Sequence, residues 1–318
     1  MMDSIYISAI QRSLGKKVPI ESIPGISEMQ ADRYLSYGYK YCRISNDGIY
    51  DLCKQSVDQL ENLELDVKKI DSLIYAIDPH VNPSNNWMLN ESKWKEKDIR
   101  WLIQALDISP KSVLGLSFYN CASFISAIDV ATLQIKSNTA ETVLVVIGGS
   151  ENQNSPRFPH SFHVQSDGAV AFLVSKKPLS CGGFRHISHN IKFINPSKFR
   201  SIEGHINDTL YFSIKAASIR DSIMDLYDRS GISAKDIDLL FVQNLGTDSM
   251  NKYADLCSVE RSKVWKDGLP EFAHVIGSDS LVNLSFCYDL QQIKADNKIC
   301  LLGTSGMSWG GCILEFAG

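Results

Sequence analysis

Three apolar runs in the first half of the chain are answered, in the same order, by three in the second. Residues 71–78, 142–149 and 167–175 find counterparts at 236–243, 298–304 and 309–316. Continuous β-branched and leucine-rich runs of this kind suit central strands covered on both faces. Between them, the spacing of apolar positions predicts helices over 47–63, 96–107, 121–136, 208–230, 249–258 and 280–294. Strand–helix alternation in both halves predicts a duplicated α/β fold with layered sheets and helices. Pro178 and the paired Gly182 and Gly183 break the pattern. The expected joint lies there, with residues 1–178 as one half and 179–318 as the other. In such folds ligands gather at the carboxyl ends of strands. Cys121, Gln243 and Gly303 all follow predicted strands, so one cleft can collect all three.

Cys121 has the most telling surroundings. An extended approach from Gly115 runs into it, and small or apolar residues follow at Ala122, Ile125, Ala127, Ile128, Ala131 and Leu133. This is the pattern of a helix buried on most faces. A thiol at its first turn meets unpaired backbone N–H groups and the positive end of the dipole. Both favour the thiolate, the reactive form of cysteine. The competing role is a small core hydrophobe.

Composition removes several classes. The chain has 318 residues and a net charge of −4, which leaves ample length for a core and gives no sign of a nucleic-acid surface. Its first ten residues lack the pattern of a signal peptide. No apolar run approaches the roughly 20 residues that span a bilayer. The eight cysteines form no CxxC pair and lie scattered through apolar segments. Reduced thiols of a cytoplasmic protein are expected, rather than a disulfide framework or a metal site.

Taken together, several segments resemble the thiolase superfamily, and within it β-ketoacyl-ACP synthase III. They are residues 5–10, the Cys121 helix, 166–169, 241–244, 277–280 and 303–310, in order along nearly the whole chain. The stretch 273–284 is more similar to the divergent branch of specialised metabolism, whose members prime polyketide chains or transfer acyl groups. The resemblance implies a five-layer αβαβα fold and a homodimer, or a heterodimer with a related synthase. It also implies acyl-CoA or a phosphopantetheinyl acyl carrier protein as donor, with no tightly bound cofactor.

Position by position, the resemblance makes Cys121 the nucleophile that holds an acyl group as a thioester. The oxyanion donors would be the Cys121 amide and the 303–306 turn, with Ser305 at the aligned position and Gly306 beside it. The chain departs from the family pattern where a histidine is usual: Gln243 stands there, followed by Asn244. Glutamine donates hydrogen bonds but cannot act as a general base. Where an asparagine is common, Ser278 and Asp279 occur. Asp279 either faces the nucleophile or caps the helix that follows. His274, five residues earlier, can join Cys121 and Asp279 or serve as scaffold. Asn244 and Asn283 are candidates to polarise a carbonyl.

His160, His163, His186, His189 and His205 read as loop histidines. Lys215, Arg220, Lys252, Arg261 and Lys263 are candidate contacts for an acidic carrier protein, or ordinary surface charges. The reading that fits these parts is an acyltransferase: Cys121 accepts an acyl group and passes it to an amine, hydroxyl or thiol. The alternatives are a condensing enzyme with an atypical site, or a silent partner of a heterodimeric synthase.

Overall fold

The computed structural model describes residues 4–61, 63, 65–79, 98–116, 120–150, 157–158, 163–179, 182–195 and 208–318. The strands are β1 (Ile5–Leu14), β2 (Lys16–Pro19), β3 (Tyr41–Ile44), β4 (Ser72–Pro79), β5 (Ser112–Gly115), β6 (Thr142–Ser150), β7 (Gln165–Ser166), β8 (Gly168–Ser175), β9 (Gly183–Phe193), β10 (Leu239–Phe241), β11 (His274–Val275), β12 (Lys298–Thr304) and β13 (Ser308–Phe316). The α-helices are α1 (Glu28–Ser36), α2 (Ile49–Glu61), α3 (Ile99–Ala105), α4 (Ser123–Lys136), α5 (Asp208–Ser230), α6 (Thr247–Leu256), α7 (Leu269–Phe272) and α8 (Asp279–Asp289).

Nine strands join edge to edge in the order β10-β12-β13-β9-β1-β8-β6-β4-β5. The duplication is visible in this order. From the centre outwards, β1-β8-β6-β4 mirrors β9-β13-β12-β10, and the outer pairs β4–β6 and β10–β12 are both parallel. The first half continues into β5, which pairs parallel with β4. The second half retains only a single parallel bridge from Leu240 to Val264 at the matching place. The three expected strand echoes are therefore spatial equivalents. The expected joint falls in the connection between β8 and β9.

Three apolar clusters fill the space between the layers. On the outer face of the first half, Leu52, Cys53, Val57 and Leu60 of α2 meet Leu144, Val146 and Ala171 of the sheet. On the outer face of the second, Ile219, Ile223 and Leu226 of α5 meet Leu302 and Ile313. Between the halves lies the largest interface. It joins Phe124, Ile125, Ile128 and Ala131 of α4 and Leu281, Val282 and Leu284 of α8 to strands of both halves. The chain thus has the thiolase-like layering, helix–sheet–helix–sheet–helix, with α4 and α8 as the inner layer. Because α4 is covered by sheet on two sides, nearly all its positions are apolar or small, as the sequence pattern predicts.

Two elements run against expectation. His186 and His189 lie on β9, not in a loop. The His186 and His189 rings hydrogen-bond each other through Nε2 and Nδ1 at 2.8 Å, and His189 Nε2 meets Asp129 Oδ1 of α4 at 2.8 Å. Helix α1 was not expected; its start is a capping box in which Ser27 and Gln30 bond each other's backbone N–H.

Candidate active site

Cys121 sits in a single 3₁₀ turn, Asn120–Ala122, that leads directly into α4. Its neighbours on the helix are fully enclosed, whereas Cys121 itself is only half-buried. The thiol is therefore held at the rim of a rigid element rather than lost in the core.

His274 reaches it from the second half. Its backbone is fixed in β11, which pairs with β7, and its N–H donates to the Val164 carbonyl at 2.9 Å. The chain then reverses at Gly277, with φ +76°, and enters α8 at Asp279. This reversal folds the Asp279 carboxylate back over His274. Asp279 Oδ2 accepts from His274 Nδ1 and from the Asn244 N–H at 3.0 Å, and Oδ1 accepts from the Val275 N–H at 2.6 Å. The carboxylate is thus spent on the histidine and on two backbone donors. Of the two roles open to Asp279 in the sequence, it does not take the capping one, since Ser278 occupies the N-cap position of α8.

With Nδ1 held by Asp279, the other ring nitrogen is free to face the nucleophile. His274 Nε2 lies 3.5 Å from Cys121 Sγ. The imidazole is 4% exposed, and its ring edge packs on His163 with centroids 5.1 Å apart. Burial works against a charged ring here, but the charges of Asp279 and Cys121 outweigh it and raise the His274 pKa well above its ordinary value. Cys121, His274 and Asp279 form one continuous chain of side-chain contacts, with the imidazole between thiol and carboxylate.

The end of β12 closes the site. A Cβ at Gly303 would stand 3.1 Å from the Cys121 carbonyl oxygen and 3.0 Å from Ala122 Cα, so glycine is needed for this approach. The following turn is where the oxyanion donors were expected, and Ser305 is not one of them. Its N–H donates to the Ser308 carbonyl at 2.7 Å, and its hydroxyl accepts from the Ser308 N–H at 3.0 Å. Ser305 is consumed in holding the turn. Gly306 is exposed, and its N–H has no backbone partner among the described residues. Its carbonyl is fixed by the Tyr211 hydroxyl at 3.0 Å.

Gln243 lies beside this turn. The Thr304 hydroxyl donates to Gln243 Oε1, and the Tyr253 and Thr304 hydroxyls are 2.8 Å apart. Since the single Thr304 proton is used on Gln243, Tyr253 is the donor in that pair. Burial pushes the Tyr253 phenol up to about 12, which keeps it protonated for that role. Asn244 does not face the nucleophile. Its amide nitrogen donates to the Ala273 carbonyl at 2.8 Å, and its Oδ1 accepts from Asn283 at 3.0 Å. The Asn244–Asn283 pair thus supports the loops that carry His274 and Asp279, and neither side chain is left over to polarise a carbonyl.

Sequence reasoning expected Cys121, Gln243 and Gly303 in one cleft; Gly303 does meet the Cys121 backbone, and Gln243 is bound to Thr304 next to it. It missed Thr304, Tyr253 and Tyr211, which are ordinary strand and helix residues by pattern. Among the candidate carrier contacts, Arg261 is paired with Asp255 and Lys263 with the Lys235 carbonyl. Lys215 instead lies over the ring of Tyr211, whose hydroxyl bonds the Gly306 carbonyl. His160 and His205 fall outside the described residues. No described helix is long and apolar enough to cross a membrane.

Residues 227–316 match the family of 3-oxoacyl-[acyl-carrier-protein (ACP)] synthase III, C terminal. No curated protein matches the chain. Solved structures similar to it include ChlB3, described as an acyltransferase, at 14% identity and a TM-score of 0.78, covering 99% of this chain and 98% of that one. FabH, the 3-oxoacyl-(acyl carrier protein) synthase III of Pseudomonas aeruginosa PAO1, is 15% identical with a TM-score of 0.77, covering 99% of each chain. Cerulenin-bound OleA of Xanthomonas campestris is 12% identical with a TM-score of 0.76, again over 99% of each. The layered duplicated fold is the fold of these structures over nearly the whole chain, and residues 227–316 carry the match to the C-terminal part of 3-oxoacyl-[acyl-carrier-protein] synthase III.

Proposed function

We propose that this protein is an acyltransferase that carries the acyl group on Cys121, taking it from acyl-CoA or an acyl carrier protein and passing it to an amine, hydroxyl or thiol. The observation that carries this reading is the approach of His274 Nε2 to Cys121 Sγ at 3.5 Å, with Asp279 on the opposite ring nitrogen. In the first half-reaction the sulfur attacks the thioester carbonyl. The C–S bond to the donor breaks, and its thiolate leaves with the proton from His274 Nε2. In the second, neutral His274 takes the proton of the acceptor as that atom attacks the acyl-cysteine, and Cys121 leaves as thiolate. The Cys121 and Gly306 amides are the proposed oxyanion donors.

Transfer is favoured over carbon–carbon condensation because only one proton-transfer group meets the thiol among the described residues. Gln243, at the family's histidine position, is bound to Thr304 and takes no proton. ChlB3 is similar in fold and is described as an acyltransferase, which supports the same choice. Pairing with a second copy or with a related synthase belongs to this reading. Strand β5, outermost in the sheet among the described residues, with Val113 and Leu114 40% and 38% exposed, is the proposed place for it.

The test is intact-protein mass spectrometry after incubation with a panel of acyl-CoAs and acyl carrier proteins, beside Cys121→Ala and His274→Ala. A mass gain lost in Cys121→Ala and slowed in His274→Ala supports the reading, and subsequent loss of that mass to added amines or alcohols completes it. No gain from a folded protein across the panel sinks it in favour of a silent partner.

A further inference from the structure

Lys215 has no role in the chemistry described above, yet it stands beside it. Two turns into α5, its ammonium lies over the Tyr211 ring, 5.7 Å from the centroid. Tyr211 in turn bonds the Gly306 carbonyl, so this part of α5 is tied to the turn that borders Cys121. The Lys215 side chain is partly withdrawn from water. No carboxylate of the described residues pairs with it, whereas Arg12, Lys17, Lys54 and Arg185 each have one. Burial pushes its pKa below the usual lysine range, while the charge on Cys121 pulls it back up.

A partly desolvated ammonium without a counter-ion is held at a disadvantage that an incoming anion would remove. The phosphates of a CoA or carrier donor are poor candidates, because the long pantetheine arm keeps them away from the thioester. The groups that come close to Cys121 are the acyl chain and the acceptor. If Cys121 carries acyl groups as proposed above, we propose that Lys215 is a specificity residue that binds a free carboxylate borne by the substrate next to the reacting thioester. The two sources of that carboxylate are a dicarboxylic acyl group, such as malonyl or succinyl, and a carboxylated acceptor, such as an amino acid. In either case the lysine acts as a fixed positive charge and exchanges no proton.

The experiment has two arms and uses the whole chain, with Lys215→Met and Lys215→Arg checked for wild-type thermal melts. In the first, Cys121 acylation is timed by quenched intact-mass measurement with malonyl-CoA against propionyl-CoA, and succinyl-CoA against butyryl-CoA. In the second, enzyme loaded with a neutral acyl group is offered amino acids against their amides. The wild type is expected to prefer the carboxylated member in one arm. Lys215→Met is expected to lose about 10–100-fold of that preference, and Lys215→Arg to keep most of it. Preference in the loading arm puts the carboxylate on the acyl group; preference in the transfer arm puts it on the acceptor. Normal acylation without preference in either arm overturns the assignment alone, as does preference that survives in Lys215→Met or a loss equal for charged and neutral partners. Absence of Cys121-dependent acylation from every donor overturns the acyl-transfer reading, and this assignment with it.

Discussion

Gly303 and Cys121 belong to different halves of the chain, and their backbones meet without a side chain between them. A methyl group at 303 would press on the Cys121 carbonyl oxygen at 3.1 Å, on Ala122 Cα at 3.0 Å and on Phe124 Cε1 at 2.8 Å. The aromatic ring can turn aside; the two backbone atoms move only if the 3₁₀ turn moves. Gly303→Ala is therefore expected to shift the nucleophile against His274 and the 306 amide while leaving the fold in place. Misplacement on this scale lowers a transfer rate by about 10²-fold. Single-turnover acylation kinetics beside a thermal melt checks it, and an unchanged rate would show that the approach of β12 is unimportant.

Asp279 offers a separate test of the orienting role. Asp279→Asn keeps the shape but removes the charge and turns an –NH₂ group toward one of three donors: His274 Nδ1, Val275 N–H or Asn244 N–H. The His274 pKa is expected to fall toward its ordinary value, since the Asp279 charge is a main cause of its rise. Acylation is expected to slow by about 10²–10⁴-fold. Imidazole titration followed by NMR, in parallel with the acylation rate, separates this from simple loss of structure. A rate loss without a pKa change would count against the orienting role.

His274, which is buried, and His186, which is half-buried, respond to pH in opposite senses. His274 holds its proton more tightly folded than unfolded. Its contribution is therefore complete below about pH 6.5 and is lost as pH rises through its raised folded value. For His186, burial and then the charge of His189 push the pKa down to about 3. The unfolded chain takes up that proton near pH 6.5 and the folded chain only near pH 3, so this contribution is lost on acidification across that window. Below about pH 6.5, where the His274 contribution is complete, urea titrations down to about pH 4 are expected to show falling stability, and His186→Gln is expected to flatten the slope. An unchanged slope would assign the acid sensitivity elsewhere.

The Tyr253–Thr304–Gln243 chain predicts its own phenotype. Thr304→Val removes the central hydroxyl and strands Gln243 Oε1 and the Tyr253 hydroxyl. Leaving such groups unpaired costs about 1–3 kcal/mol each when they are buried, and Thr304 and Gln243 are 3% and 4% exposed. Gln243→His, by contrast, retains a nitrogen that can accept from Thr304 and is expected to load acyl groups as the wild type does. Denaturant melts and intact-mass loading of both variants check the pair of expectations.

What could be read beforehand follows from how local each signal is. The strands β4, β6, β8, β12 and β13 announce themselves because both faces are covered and their side chains are almost uniformly apolar. Strand β9 does not, since Arg185, His186, Ser188, His189 and Lys192 leave neither a clean alternation nor an apolar run. In the site, Cys121 is legible from the helix it precedes. The link from His274 to Asp279 depends on a left-handed glycine at 277, and the link from His274 to Cys121 spans 153 residues. No periodicity encodes either. Lys215 follows Tyr211 by four residues, so their contact is local to α5; what no pattern reveals is that Tyr211 docks on the Gly306 carbonyl.

The inner helix α4 has a consequence for how the protein comes into being. It carries the thiol at its start and lies between strands of both halves, so its second covering surface does not exist until the C-terminal strands are made. During synthesis Cys121 leaves the ribosome long before His274, Asp279 and the β12 turn. The nascent first half therefore holds a cysteine without its proton acceptor, beside an apolar helix face waiting to be covered. On the proposed reading, a chain truncated before β12 is expected to be inert toward thioesters and, with the apolar face of α4 uncovered, prone to stick.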